Sequence, residues 1–206
     1  MLVRLRRLAS AYDRYNTRRP LSTKAATCGV LLGGGDILCQ GLESSAPFDP
    51  QRTGRMVTWG GLFNGPAGHV FYAQLDRFVT MAGARGIACK IAVDQLLFTP
   101  PLTFAYFVWQ FLLSSPSPSA AGAAENASSN LWPTLKVNWA YWSLVHVITF
   151  AAIPLEYRVA FVAVKNFFWG GYLSWAATDK QQELQQVGLI GTSTSSTRRL
   201  ARTATH

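Results

Sequence analysis

The residues of this chain that could do chemistry are charged and amide side chains set into otherwise apolar runs. Lys24, Asp36, His69, Asp94, Arg158 and Lys165 all stand within or at the edge of such runs. A charge at the centre of a bilayer costs at least about 2.5 kcal/mol on insertion scales, so it normally faces a bundle interior or water. Wound as a helix, Arg158, Lys165, Trp169 and Tyr172 fall on one stripe. Asn138, Trp142, His146 and Thr149 form a comparable one. Lys90 with Asp94, and Asp36 with Gln40, have i, i+4 spacing, and the first pair is able to neutralise itself. Inward stripes on several helices would line a hydrated path for solute. The alternative is that the same groups bond across helices as glue, worth about 0.6–2 kcal/mol each.

Other chemistry lacks its constellation. His69 and His146 lie in different runs and His206 ends the chain, with no Ser-His-acid or paired-carboxylate spacing. No catalytic residue is assigned, and an enzyme is not expected. Cys28, Cys39 and Cys89 have neither disulfide-framework nor metal-ligand spacing, so no metal and no cofactor is expected. On one helix Cys28 and Cys39 would share a face roughly 16 Å apart, too far for a bridge. The Gly33–Gly35 run precedes Asp36 rather than the Lys-Ser or Lys-Thr of a phosphate loop.

The elements that must position these residues are membrane helices. The chain has 206 residues, 49% hydrophobic and 14% charged, with a mean hydropathy of +0.13. Roughly a quarter charged is usual for a soluble domain. Apolar windows begin near Leu21, Met56, Ile87, Leu135 and Arg158, and each is close to the ~20 residues needed to cross a ~30 Å hydrocarbon core. None alternates as barrel strands do. The fold class is therefore all-α: a polytopic transmembrane helix bundle of about four spans, with one window irregular or broken.

Four spans follow from basic residues at both ends of the chain, which favour both termini on one side. The net charge of +9 is concentrated at Arg4, Arg6, Arg7, Arg14, Arg18 and Arg19 and at Arg198, Arg199 and Arg202. That placement argues against direct nucleic-acid binding. Residues 1–19 form a basic amphipathic segment, with Leu2, Leu5, Leu8, Ala9 and Tyr12 opposite the arginines, in the pattern of a mitochondrial transit sequence or a membrane flank. Residues 20–177 are the transmembrane domain, 114–130 a flexible loop within it, and 178–206 a polar tail of disordered composition. The loop's Asn126-Ala127-Ser128 sequon matters only in a secretory pathway that the N-terminus does not fit.

One further stretch, "FNGPAGHVFYAQLD", puts Asn64, Gly65, Pro66 and His69 in an apolar window. Pro66 removes a helical hydrogen bond, Gly65 admits a neighbouring helix, and Asn64 and His69 can satisfy the freed groups or a lumen water.

Taken in order, these motifs resemble the 22-kilodalton peroxisomal membrane protein family, in its mitochondrial inner-membrane branch of Mpv-seventeen-like and fungal Sym-one-like proteins. The match rests on Pro20, Thr23, Lys24, Gly29, Gly35, Asp36 and Gln40, then on Asp49, Arg52, Arg55, Gly65, Pro66, His69, Tyr72 and Leu75. It continues through Lys90, Asp94, Gln95 and Pro100, and closes with Trp132, Pro133, Lys136, Asn138, Trp139, Trp142, Pro154, Arg158, Trp169, Tyr172, Leu173 and Ser174. His146 and Thr149 stand where the family usually has Gln and Asn.

The resemblance implies an integral protein of the mitochondrial inner membrane, with the peroxisomal membrane as the alternative. It also implies pore-like solute passage and a link to mitochondrial DNA maintenance and stress tolerance. The expected partner is the lipid bilayer; the solute is unknown, and self-association into a homo-oligomer is left open. Lys24, Asp36, His69, Asp94, Arg158 and Lys165 are the candidates for lining or gating a path. Gly35, Gln40, Gly65, Pro66, Gln95, Trp132, Pro133, Pro154, Trp169 and Tyr172 are structural members of the motifs. A competing expectation is a non-transporting structural or assembly factor.

Overall fold

The computed structural model describes residues 2–43, 47–152 and 164–178, and its regular elements are all helical among them. α1 (Leu2–Arg18) gives way at Arg19 to α2 (Pro20–Leu42), which starts on a proline whose missing N–H would be unpaired there anyway. α3 (Pro50–Trp59) is capped by Asp49, whose side chain accepts from the backbone N–H groups of Gln51 and Arg52. A π turn, Gly60–Asn64, joins α3 to α4 (Gly65–Phe78). A second, Asp94–Phe98, joins α5 (Gly83–Val93) to α6 (Thr99–Ser114). α7 (Ala120–Ala152) and α8 (residues 164–178) follow.

The sequence places both π turns. Each ends one residue before a helix that opens on proline: Gly65-Pro66 in the first case, Thr99-Pro100-Pro101 in the second. A proline ring collides with the carbonyl four residues earlier in a regular helix. Widening the turn moves that carbonyl aside: the N–H of Gly65 reaches back to Gly60, and that of Thr99 to Asp94. The expectation of one irregular window thus becomes two windows with a π turn.

α2 is the central helix, and glycine is the reason. A Cβ on Gly60 would sit 2.6 Å from the carbonyl oxygen of Cys28, and one on Gly65 would sit 2.8 Å from the Cα of Ala25. On another face, a Cβ on Gly35 would meet the backbone of Phe167, Gly170 and Gly171 on α8. The backbones touch, so the small-residue faces seat α2 between α3–α4 and α8.

Many large apolar side chains face outward, while several polar ones are buried beside the apolar core. Val30, Ile37, Leu62, Val70, Leu96 and Leu97 are exposed, whereas Asp36, Arg52, Gln110, Asn126, Asn130 and Asn138 are buried. That inversion suits a hydrocarbon solvent. Among the described residues, two helices, Pro20–Leu42 and Gly83–Ser114, are long and apolar enough by length and composition alone to cross a membrane. The others carry the inward polar groups that depress a hydropathy average.

The expected loop over 114–130 needs correction, because α7 begins at Ala120. Its Ser- and Ala-rich start is a packing face: Ala123, Ala127, Asn130 and Thr134 lie one above another and are buried. α6 lies against them, and the Asn126 amide donates to the Phe107 carbonyl at 3.2 Å. Small side chains let the helices close; what reads as linker composition is a helix interface. Asn126, so buried, is no glycosylation acceptor. Pro154, Arg158 and the junction between the last two windows lie outside the described residues, as do the His146 and Thr149 side chains.

Candidate functional site

A cavity of about 590 Å³ opens between the helices, with walls drawn from α1 to α8. Its inner end is formed by Leu32, Trp59, Tyr106 and Leu173, all buried. Toward the other end the wall becomes polar. The Lys24 ammonium stands 3.0 Å from Nδ1 of His69. An ammonium can only donate, so Nδ1 accepts. His69 is placed there by α4, whose direction the Gly65-Pro66 break resets.

Across the cavity, Asp94 occupies the second π turn. One of its oxygens accepts from the Tyr72 hydroxyl at 2.7 Å and the other from the Gln95 amide at 2.7 Å. Gln95 in turn accepts from the Asn138 amide at 2.6 Å, while its backbone carbonyl accepts from the Trp139 indole at 3.2 Å. The irregular backbone therefore has a side-chain partner at membrane depth, as an apolar solvent demands. Phe71 and Phe98 stack with centroids 4.1 Å apart and fix the π turn against α4. Lys90 does not pair with Asp94 as its spacing suggested. It turns to Asp76, 2.7 Å away, because α4 offers a carboxylate on the facing side.

Below the inner end lies a separate, closed layer around Asp36. Its carboxylate is fully buried and makes an ion pair with Nε of Arg52 at 2.8 Å. It also accepts from Thr53 at 2.5 Å, from Gln40 at 2.8 Å and from the Ser174 hydroxyl. Arg52 continues to Glu43 at 2.5 Å and to the Cys39 sulfur at 3.2 Å. Its bonds hold the Glu43 carboxyl below the usual carboxylate range, outweighing the opposing effect of burial. Gln40 also binds the backbone of Asp49 in both directions, tying α2 to the α3 cap.

Three of the six path candidates, Lys24, His69 and Asp94, thus meet on one cavity. Asp36 does not: it lies roughly 18 Å along α2 from Lys24, twelve residues on, with its oxygens committed to four side chains. Lys165 is half-buried outside the cavity wall, where its backbone carbonyl accepts from Tyr141 at 2.8 Å. Arg158 lies outside the described residues.

Among the motif residues, Gly65, Gln95 and Trp169 line the cavity. Tyr172 stacks on Trp169 at 4.9 Å, and Trp132 is exposed beneath Lys136, 5.5 Å from its ring. Pro133 lies inside α7. Asn64, Asp76 and Asn166 also line the cavity and were not singled out as path residues. Asp76 stands seven residues after His69, on the same helical face, which was the available signal. Asn166 offered none, since α8 has polar residues on both sides. Among the described residues no group of three or more His, Cys, Asp or Glu stands together, and the three cysteines are free.

Comparisons with known proteins bear on the family. Residues 118–174 match the model of the Mpv17 / PMP22 family. The chain is similar to Protein sym-1 of Neurospora crassa, 35% identical over 82% of this chain and 98% of the relative. The chain belongs to this family. It is also similar to Protein SYM1 of Saccharomyces cerevisiae, 32% identical over 82% of this chain and 89% of the relative. Peroxisomal membrane protein 2 of Bos taurus is 33% identical over the same shares of the two chains, 82% and 89%. No solved structure matches significantly. As a Mpv17/PMP22 family protein the chain is an all-α membrane protein whose surroundings are the lipid bilayer.

Proposed function

We propose that the chain is a channel or solute pathway of the mitochondrial inner membrane, with no enzymatic turnover of its own. The observation that carries this reading is the cavity itself. A helix bundle in hydrocarbon gains little from an interior space walled by Lys24, His69 and Asp94, since each such group is costly there unless water or solute occupies the space. The buried layer of Leu32, Trp59, Tyr106 and Leu173 closes one end, so passage requires these side chains to move apart. A peroxisomal site is the alternative, supported by the name of the bovine relative. Mitochondrial DNA maintenance and stress tolerance follow indirectly, through the matrix solutes such a path would govern.

The test is single-channel recording of purified protein in planar bilayers, beside Asp94→Asn. Discrete currents are expected, with altered conductance or ion selectivity in the variant. Silence from inserted, folded protein would leave the second reading, a non-transporting assembly factor. That reading is favoured by the Asp36–Arg52 layer, which uses its charges wholly for holding helices together.

A further inference from the structure

The charges on the cavity wall are arranged as two separated poles. Lys24 has a ring nitrogen of His69 as its partner, and no carboxylate lies within ion-pair distance of it among the described residues. Among the described residues Asp94 is bonded to the neutral donors Tyr72 and Gln95. The cation that could have neutralised it, Lys90, is engaged by Asp76. His69 and Tyr72, which hold the two poles, are three residues apart on one face of α4, a rise of roughly 5 Å. The wall thus offers one ammonium and one carboxylate, held by residues one helical turn apart on α4 and lining the same cavity, with Phe98, Trp142 and Trp169 as apolar surface around them.

We infer that the cavity takes a small zwitterion, a solute carrying a carboxylate and an ammonium on a short carbon chain. Its carboxylate meets Lys24 and its ammonium meets Asp94, so both poles are compensated at once in a site of low dielectric, where such pairing is strongest. A simple anion compensates Lys24 and faces Asp94 unshielded; a simple cation meets the reverse. A volume of about 590 Å³ accommodates an amino acid with room for water. This inference rests on the solute-path reading and names the chemistry of what occupies the path.

Binding is measured on detergent-purified full-length protein by calorimetry. The probes are ω-amino acids from glycine to 6-aminohexanoate, set against propionate and propylammonium. At least one zwitterion is expected to bind tenfold or more tightly than either singly charged probe, with an optimum at one chain length. Lys24→Met and Asp94→Asn should each bring the zwitterion down to the level of the singly charged probes, while Lys24→Arg and Asp94→Glu retain a preference with a shifted optimum. Propionate binding as well as any zwitterion overturns the inference in favour of an anion site at Lys24 alone. Equal weakness of all probes for the unaltered protein overturns it outright. Currents in bilayers without zwitterion preference would sink this inference and leave the path standing. Zwitterion binding without currents would do the opposite.

Discussion

Asp36 and Arg52 show what a buried ion pair requires. Each charge loses hydration worth several kcal/mol, and the attraction between them offsets that loss only when the remaining lone pairs and protons are bonded. Thr53, Gln40 and Ser174 complete the carboxylate, and Glu43 completes the guanidinium. Removing one partner strands the other. Asp36→Ala is therefore expected to cost about 3–5 kcal/mol of stability, read as a lowered midpoint of thermal unfolding in detergent. An Asp36→Ala protein of unchanged stability with altered permeability would instead return Asp36 to the path. In the sequence, Asp36 and Lys24 look alike, each a charge in an apolar window. What separates them is which helices come within 3 Å, and that is a property of the fold. Arg52, outside its window, gave no sign that it would reach inward to Asp36.

At the scale of elements, the helices are set by where backbones can touch. Gly60 has the Cys28 carbonyl where its Cβ would be, whereas Gly54 has nothing within 4 Å. Gly60→Ala must push α2 away and is expected to destabilise by about 1–3 kcal/mol. Gly54→Ala, in the same helical run, should stabilise by about 0.5–1 kcal/mol through lost chain entropy. Equal melting shifts in the two would mean that this contact does not set the packing. The helical class, the α2 glycine face and the Gly-Pro break are all legible from residue type and spacing. The second π turn was less so: "DQLLFTPP" signals a proline, but whether a helix kinks, ends or widens depends on partners such as Trp139 that lie far along the chain. The start of α7 misled for a similar reason. Ala, Gly and Ser look like linker until a facing helix makes their smallness useful.

At the scale of the whole molecule, the basic ends constrain orientation. Arg4, Arg6, Arg7, Arg14, Arg18 and Arg19 near one terminus and Arg198, Arg199 and Arg202 near the other favour a common side. Tags at the two termini are expected to show the same protease sensitivity in intact organelles and in organelles with the outer membrane opened. Opposite sensitivities would require an odd number of crossings. Sidedness is read from the charges at the two ends; the depth of the cavity could not be, because no local pattern records where distant helices leave a gap.

The π turn at Gly60–Asn64 has a consequence for the molecule as a machine. α3 serves the closed layer through Asp49, Arg52 and Thr53, while α4 serves the cavity through His69, Tyr72 and Asp76. One residue inserted between them rotates everything beyond it by about 100° around the axis. The turn acts as a phase shifter: it lets a single continuous rod aim one set of side chains at the fastening and another at the passage. The same rod would mechanically couple the two, so a twist imposed at the fastened end would arrive at the passage as a reorientation of His69.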